Sequence, residues 1–150
     1  MNTERRRFGF WAFLLGAAVF AFLTFRFPDL DIKLLGIGKH RYFLFHSAII
    51  PLVAVWLHRK IRSVPVLGII AVAFVVGFLA GVGVHLVTDV FQKTKIYFPF
   101  IGTLVDGTSV DDRLWEGGNA LLCFGSAWRV GSKHLHRSTD LSSGNTSLRP

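Results

Sequence analysis

The sequence predicts an all-α fold: a multi-pass transmembrane helical bundle of about four spans. Three observations lead there. Several apolar runs are long enough to cross a bilayer, 51% of the residues are hydrophobic with a mean hydropathy of +0.48, and the basic residues gather in alternate connections. A chain of 150 residues has no room for a separate soluble domain, so residues 1–137 read as one helical domain. Residues 138–150 (STDLSSGNTSLRP), polar and lacking aromatics, read as a disordered cytoplasmic tail.

The first span covers about residues 8–26. Its apolar stretch, FGFWAFLLGAAVFAFLTF, carries no charge, and at ~1.5 Å per residue it nearly crosses a ~30 Å hydrocarbon core. Arg5, Arg6 and Arg7 before it would also suit a cleaved signal peptide. Such a peptide ends in small residues, however, and here Phe25-Arg26-Phe27-Pro28 follows, so the span is expected to be retained. The second span, about 42–58, is shorter, interrupted by His46 and Pro51 and flanked by Arg41, His58 and Arg59, which can snorkel to the interfaces. The third, about 64–90, is the most apolar, and Gly77-Phe-Leu-Ala-Gly81 offers a small-residue face for a close neighbour. The fourth, about 114–130, is weaker and carries Glu116 and Asn119 near its start. Ile96 to Val105 is apolar but too short to span, and with Pro99 and Gly102 it reads as an interfacial or re-entrant loop.

Charge then orients the bundle. With the N-terminus inside, four spans put Arg5, Arg6, Arg7, Arg59, Lys60, Arg62, Arg129, Lys133, Arg137 and Arg149 on the cytoplasmic side, with both termini there. The net charge of +8 is thus a topology signal, and short loops beside anionic lipid explain it more simply than a nucleic-acid partner, which is not expected. Cys123 stands alone, which excludes an intramolecular disulfide and leaves a packing residue. Gly36-Ile-Gly38 lacks the third glycine of a phosphate loop and reads as a flexible turn.

The chemistry rests on ionisable residues at the membrane edge. An Asp at a helix centre costs roughly 2.5–3.5 kcal/mol on insertion scales, so such groups tend to mark function. In the expected topology Asp29, Asp31, His40, His46, His85 and Asp89 all lie near one interface. His85 and Asp89, four apart, share a helix face about 5–6 Å apart, close enough for one metal ion to bridge them or for a simple His–Asp hydrogen bond. His40 and His46 face one site only if His40 precedes the helix; otherwise His40 and Arg41 form a polar girdle and His46 bonds between helices. In an extended segment Asp29 and Asp31 would point the same way and reach one cation, or one would orient a histidine; a solvated loop is the blander reading.

Pro28-Asp29-Leu30-Asp31, then His40-Arg41 and His46-Ser47, then Gly81-Val-Gly-Val-His85-Leu-Val-Thr-Asp89, then Tyr97-Phe-Pro-Phe100, together resemble the YdjM-like membrane-bound metal-dependent hydrolases. The resemblance covers Pro28 to about Gly102. It implies a multi-pass helical protein of a bacterial inner membrane with a divalent-metal site, with Asp31, His40, His46, His85 and Asp89 as ligands and Asp29 beside them. Phe45 stands where many members have a threonine, and the two histidines are further apart than is usual in the family.

A mixed imidazole–carboxylate site suits zinc, with manganese or iron as alternatives, and such an ion lowers the pKa of a neighbouring water toward ~7. Arg41 either holds a phosphate bidentately, making a phosphoester or phospholipid the substrate class, or merely snorkels into the headgroups. Asp29, Asp112 and Glu116 are the candidate general bases, although Asp112 also reads, with Asp106 and Asp111, as part of a solvated loop. Two rival readings stay open: a non-catalytic metal-binding membrane protein (carrier, sensor or assembly factor), and a structural partner acting through its helix faces.

Overall fold

The computed structural model describes residues 3–36, 41–61, 65–92, 96–98, 102–103 and 112–140. The chain is helical, with α1 (Thr3–Thr24), α2 (Leu30–Leu35), α3 (Ile49–Ile61), α4 (Pro65–Val90) and α5 (Asp112–Asp140). One two-residue antiparallel pair, β1 (Tyr97–Phe98) and β2 (Gly102–Thr103), lies between α4 and α5 and gives the expected non-spanning loop a hairpin form. Two helices are long and apolar enough to cross a membrane: α1 over Arg7–Thr24 and α4 over Gly68–Val90.

α4 is the central helix, packed by α1, α3 and α5, and 67% of its apolar window is buried against 11% for α1. Leu79, Val82 and Leu86 lie fully inside, with Ala120, Cys123 and Ala127 of α5 and Ala48 and Val55 from the α3 side. The outer surface is apolar: Phe8, Trp11, Leu15 and Phe22 on α1, Trp56 on α3, and Leu121 and Trp128 on α5 are all exposed. Polar groups are turned inward, with Asp31, Arg41, His46, His85, Asp89 and Glu116 buried. Apolar outside and charged inside is the arrangement a lipid solvent favours.

Gly77 and Gly81 set the spacing of α1 on α4. A Cβ added at Gly77 would collide with the Ala17 carbonyl oxygen and lie 2.6 Å from Phe20 Cβ; one at Gly81 would lie 2.5 Å from the Ala21 carbonyl oxygen. Two of these obstacles are backbone atoms, which cannot rotate aside, so the axes approach as closely as only glycine allows. Gly77→Val is expected to lower stability by about 1–3 kcal/mol through overpacking, read as a lower Tm in detergent. Gly118→Ala, where nothing lies within 4 Å of the new Cβ, is the neutral control, and equal melting of the two variants would overturn the account.

α1 and α4 run parallel, since Ala17 meets Gly77 and Ala21 meets Gly81. α5 runs antiparallel to α4, Gly117 lying beside Val90 and Gly131 beside Val76. The ends of α1 and α4 and the starts of α3 and α5 therefore share one pole, while Arg7, Arg59, Lys60, Arg129 and Lys133 belong to the other. At that second pole the Phe13 and His134 rings lie 5.0 Å apart, and burial holds the His134 pKa below its ordinary value.

The start of α3, the end of α5 and the placement of His58 differ from the sequence reading. The second apolar run is not one helix from 42: Arg41 to Ala48 is irregular, α3 begins at Ile49, and its 13 residues extend only about 20 Å. Ser47 starts it, its Oγ accepting from Ile49 N–H at 3.2 Å and donating to the Leu44 carbonyl at 3.1 Å. Pro51 thus falls in the first helical turn, where its missing N–H breaks no intrahelical bond. His58 does not snorkel; it is buried, with Nδ1 2.7 Å from the Val55 carbonyl of its own helix. α5 continues past 130 to Asp140, so residues 138–140 of the expected tail are helical, while 141–150 lie outside the described residues.

Candidate metal centre

Four separate stretches meet at the shared pole. α1 ends where the Thr24 hydroxyl donates to the Phe20 carbonyl at 2.6 Å, and buried Pro28 turns the chain into α2. Asp29 occupies the N-cap position of α2 and Asp31 its first turn. This corrects the extended segment expected for the two aspartates, because in a helical turn they separate. Asp31 points inward and is wholly buried, whereas the Asp29 side chain stays 39% exposed.

His46 comes from the irregular Arg41–Ala48 segment, and His85 and Asp89 lie one turn apart at the end of α4. Asp29, His46 and His85 each bring one potential ligand atom within 4.8 Å of one another, so this cluster could hold a metal ion. Asp89 Oδ2 lies 3.2 Å from His85 Nε2 and 3.5 Å from His46 Nε2, and Asp29 Oδ1 lies 3.7 Å from His85 Nε2. Ligand atoms about 2.1 Å from a tetrahedral zinc ion stand about 3.4 Å apart, which is the spacing of these pairs. Asp31 stands behind His46, its Oδ2 3.4 Å from Nδ1 and accepting Tyr42 N–H at 2.8 Å. A carboxylate behind the second ring nitrogen is the usual means of orienting a metal-binding imidazole.

Charge and hydrogen bonding point the same way. Among the described residues, the Arg41 guanidinium pairs with Asp89 and Glu116, while Asp29 and Asp31 stand against the two imidazoles. Both ring nitrogens of His85 and Asp89 Oδ2 are buried with no aligned hydrogen bond among the described residues, although they stand close together. Leaving such groups unsatisfied costs about 1–3 kcal/mol each, and a cation between His85 Nε2 and Asp89 Oδ2 would remove that cost at those two atoms. The rings of His46 and His85 lie 5.6 Å apart edge to face, with Phe25 packed against His85 at 5.3 Å.

Arg41 does not reach the outer surface of the bundle. It is buried, with φ +65°, a left-handed conformation that a non-glycine residue adopts only under constraint. Nη1 donates to Glu116 Oε1 at 2.6 Å and Nη2 to Gln92 Oε1 at 3.1 Å, with Asp89 Oδ1 3.3 Å away. The guanidinium is thus an internal counter-ion that fixes Asp89, which corrects both the snorkelling and the phosphate-holding readings. Glu116 is buried against Arg41, so of the candidate bases Asp29 is the one that both touches the cluster and meets solvent. Asp112 is the first residue of α5. His40, Asp106 and Asp111 lie outside the described residues.

Three residues absent from the sequence reading of the site support it. Gln92 binds Arg41, Trp115 Nε1 donates to the His46 carbonyl at 2.9 Å, and Asn119 Oδ1 accepts Ala48 N–H at 2.9 Å. An Asn inside an apolar run was the available signal for the last; nothing marked the other two. Comparison with protein-family models, curated proteins and solved structures gives no match, so the centre is interpreted from its own chemistry.

Proposed function

We propose that the chain is a four-span protein of a bacterial inner membrane, both termini cytoplasmic, and a metal-dependent hydrolase of a phosphoester or phospholipid at the membrane surface. The observation that carries this reading is the convergence of Asp29, His46, His85 and Asp89 at metal-ligand spacing. The motifs shared with the YdjM-like family support it. So does the position of Arg7, Arg59, Lys60, Arg129 and Lys133 at the pole opposite the cluster, whereas Arg26, Lys33, Arg41 and Arg113 share the cluster pole with Asp29, Asp31, Asp89, Asp112 and Glu116. Zinc suits two imidazoles and two carboxylates best, with manganese and iron as alternatives. His46 and His85 would hold the ion from inside the bundle, and Asp89, kept in place by Arg41, would neutralise it. Asp29, on the open side, either completes the ligand set or takes a proton during reaction. The ion would supply the Lewis acid that activates water or the scissile ester. Because α3 alone is too short to cross, its span would include the buried segment before it, which is tolerable in a bilayer only when shielded by protein.

The engagement of Arg41 by Glu116, Gln92 and Asp89 favours a second reading, a non-catalytic metal binder, since the Arg41 fork is already occupied within the protein. Elemental analysis of detergent-purified protein, followed by assay on bis(p-nitrophenyl) phosphate and on phospholipid vesicles, separates the two. Near one zinc or manganese per chain with chelator-sensitive turnover supports the hydrolase, and metal without turnover supports the binder. A chain that takes up no metal after incubation with divalent ions overturns both.

A further inference from the structure

The segment from Arg41 to Ala48 carries the central imidazole of the cluster but has neither helix nor strand to hold it. His46, Ser47 and Ala48 are nonetheless almost wholly buried. A buried irregular backbone must find hydrogen-bond partners within the protein, and within a bilayer no water substitutes for them. Some lie nearby, since Phe45 and His46 N–H donate to the Tyr42 carbonyl at 3.0 and 3.1 Å and Tyr42 N–H to Asp31, but the His46 carbonyl and the Ala48 N–H are met from one face of α5. Trp115 Nε1 donates to the His46 carbonyl oxygen at 2.9 Å, and Asn119 Oδ1 accepts the Ala48 N–H at 2.9 Å. Asn119 Nδ2 in turn donates to the Trp115 main-chain carbonyl at 2.8 Å, so the Asn119 amide is itself anchored to α5 one helical turn back. The two peptide groups on either side of Ser47 are thus gripped from the same helix, 69 and 71 residues further along the chain.

We propose that Trp115 and Asn119 are positioning residues for the metal centre, forming an α5 clamp that fixes the backbone of His46 and thereby aims its Nε2 at His85 and Asp89. Asp31 orients the ring from behind, but a ring can be oriented only if its own Cα is held, and the clamp supplies that. The purpose of the positioning rests on the metal reading above; the clamp itself does not.

The test uses the full chain in detergent micelles, with Asn119→Ala and with Trp115→Phe, which keeps the ring and removes the donor. Hydrogen–deuterium exchange is followed in metal-depleted protein, and zinc affinity is then measured by competition with a chromogenic chelator. The expected result is faster exchange of the amides from Tyr42 to Ala48 in both variants, unchanged protection in α4, and zinc binding weakened about 10–100-fold, as for other residues that support a ligand from behind. Unchanged exchange of that segment in both variants overturns the clamp, whatever zinc does. Faster exchange in the variants of a protein that binds no zinc even as wild type keeps the clamp and rejects the metal reading. Zinc affinity equal to wild type despite faster exchange overturns its positioning role.

Discussion

His85→Ala is expected to reduce the metal content of the purified protein from near one ion per chain to none detectable, and Asp89→Ala to do the same. His85 Nε2 approaches both Asp29 Oδ1 and Asp89 Oδ2, so its loss removes the atom common to two sides of the cluster. Loss of a ligand should exceed the 10–100-fold effect of a supporting residue. A thermal readout follows from linkage: a ligand at 100 times its Kd stabilises by about 2.7 kcal/mol, so added zinc should raise the wild-type Tm and leave that of His85→Ala unmoved. His58→Ala is the control, a buried histidine on α3 that bonds to its own helix at the other pole. Zinc-dependent stabilisation surviving in His85→Ala would place the metal elsewhere.

Arg41→Met should be the most destabilising single substitution. The guanidinium is buried beside Glu116, Asp89 and Gln92, and its removal leaves two buried carboxylates without their counter-charge. Breaking a buried pair by removing one partner typically costs about 3–5 kcal/mol. Adding Glu116→Gln should recover part of that loss, because it removes the carboxylate at 2.6 Å, whereas Arg41→Lys should recover little, since an ammonium lacks the fork that reaches Glu116 and Gln92 together. Equilibrium unfolding in mixed micelles measures each. A loss below about 1 kcal/mol for Arg41→Met, or strict additivity with Glu116→Gln, would show that the network carries little energy.

Much of the bundle is legible in the sequence because burial in lipid and burial in protein both demand apolar residues. The apolar run at 64–90 and the helix Pro65–Val90 nearly coincide for that reason, and Gly77 and Gly81 announced a close neighbour without identifying α1. The same degeneracy hid the start of α3. Residues 42–48 are as apolar as a helix would be, but Asp31 and Asn119 take the amides of Tyr42 and Ala48, and those competitors are distant in sequence. Residue type marked Asp29, His46, His85 and Asp89 as candidates, since each is costly in a membrane. Their division of labour was not legible: Asp31 behind His46, Asp29 at the open side and Arg41 turned inward all follow from where α2 and α5 pack.

The ion pair between Arg41 and Glu116 spans 75 residues of chain, which imposes an order on biogenesis. At about 5–20 residues per second a ribosome needs roughly 4–15 s between the two, and throughout that interval Arg41 has no Glu116 to neutralise it. Asp89, 3.3 Å from the guanidinium, is made earlier, but the closer carboxylate arrives only with α5, together with the Trp115 and Asn119 grip on His46. α5 therefore completes the site, and a polypeptide arrested before residue 112 would hold Arg41 against Asp89 alone, with the peptides around Ser47 ungripped.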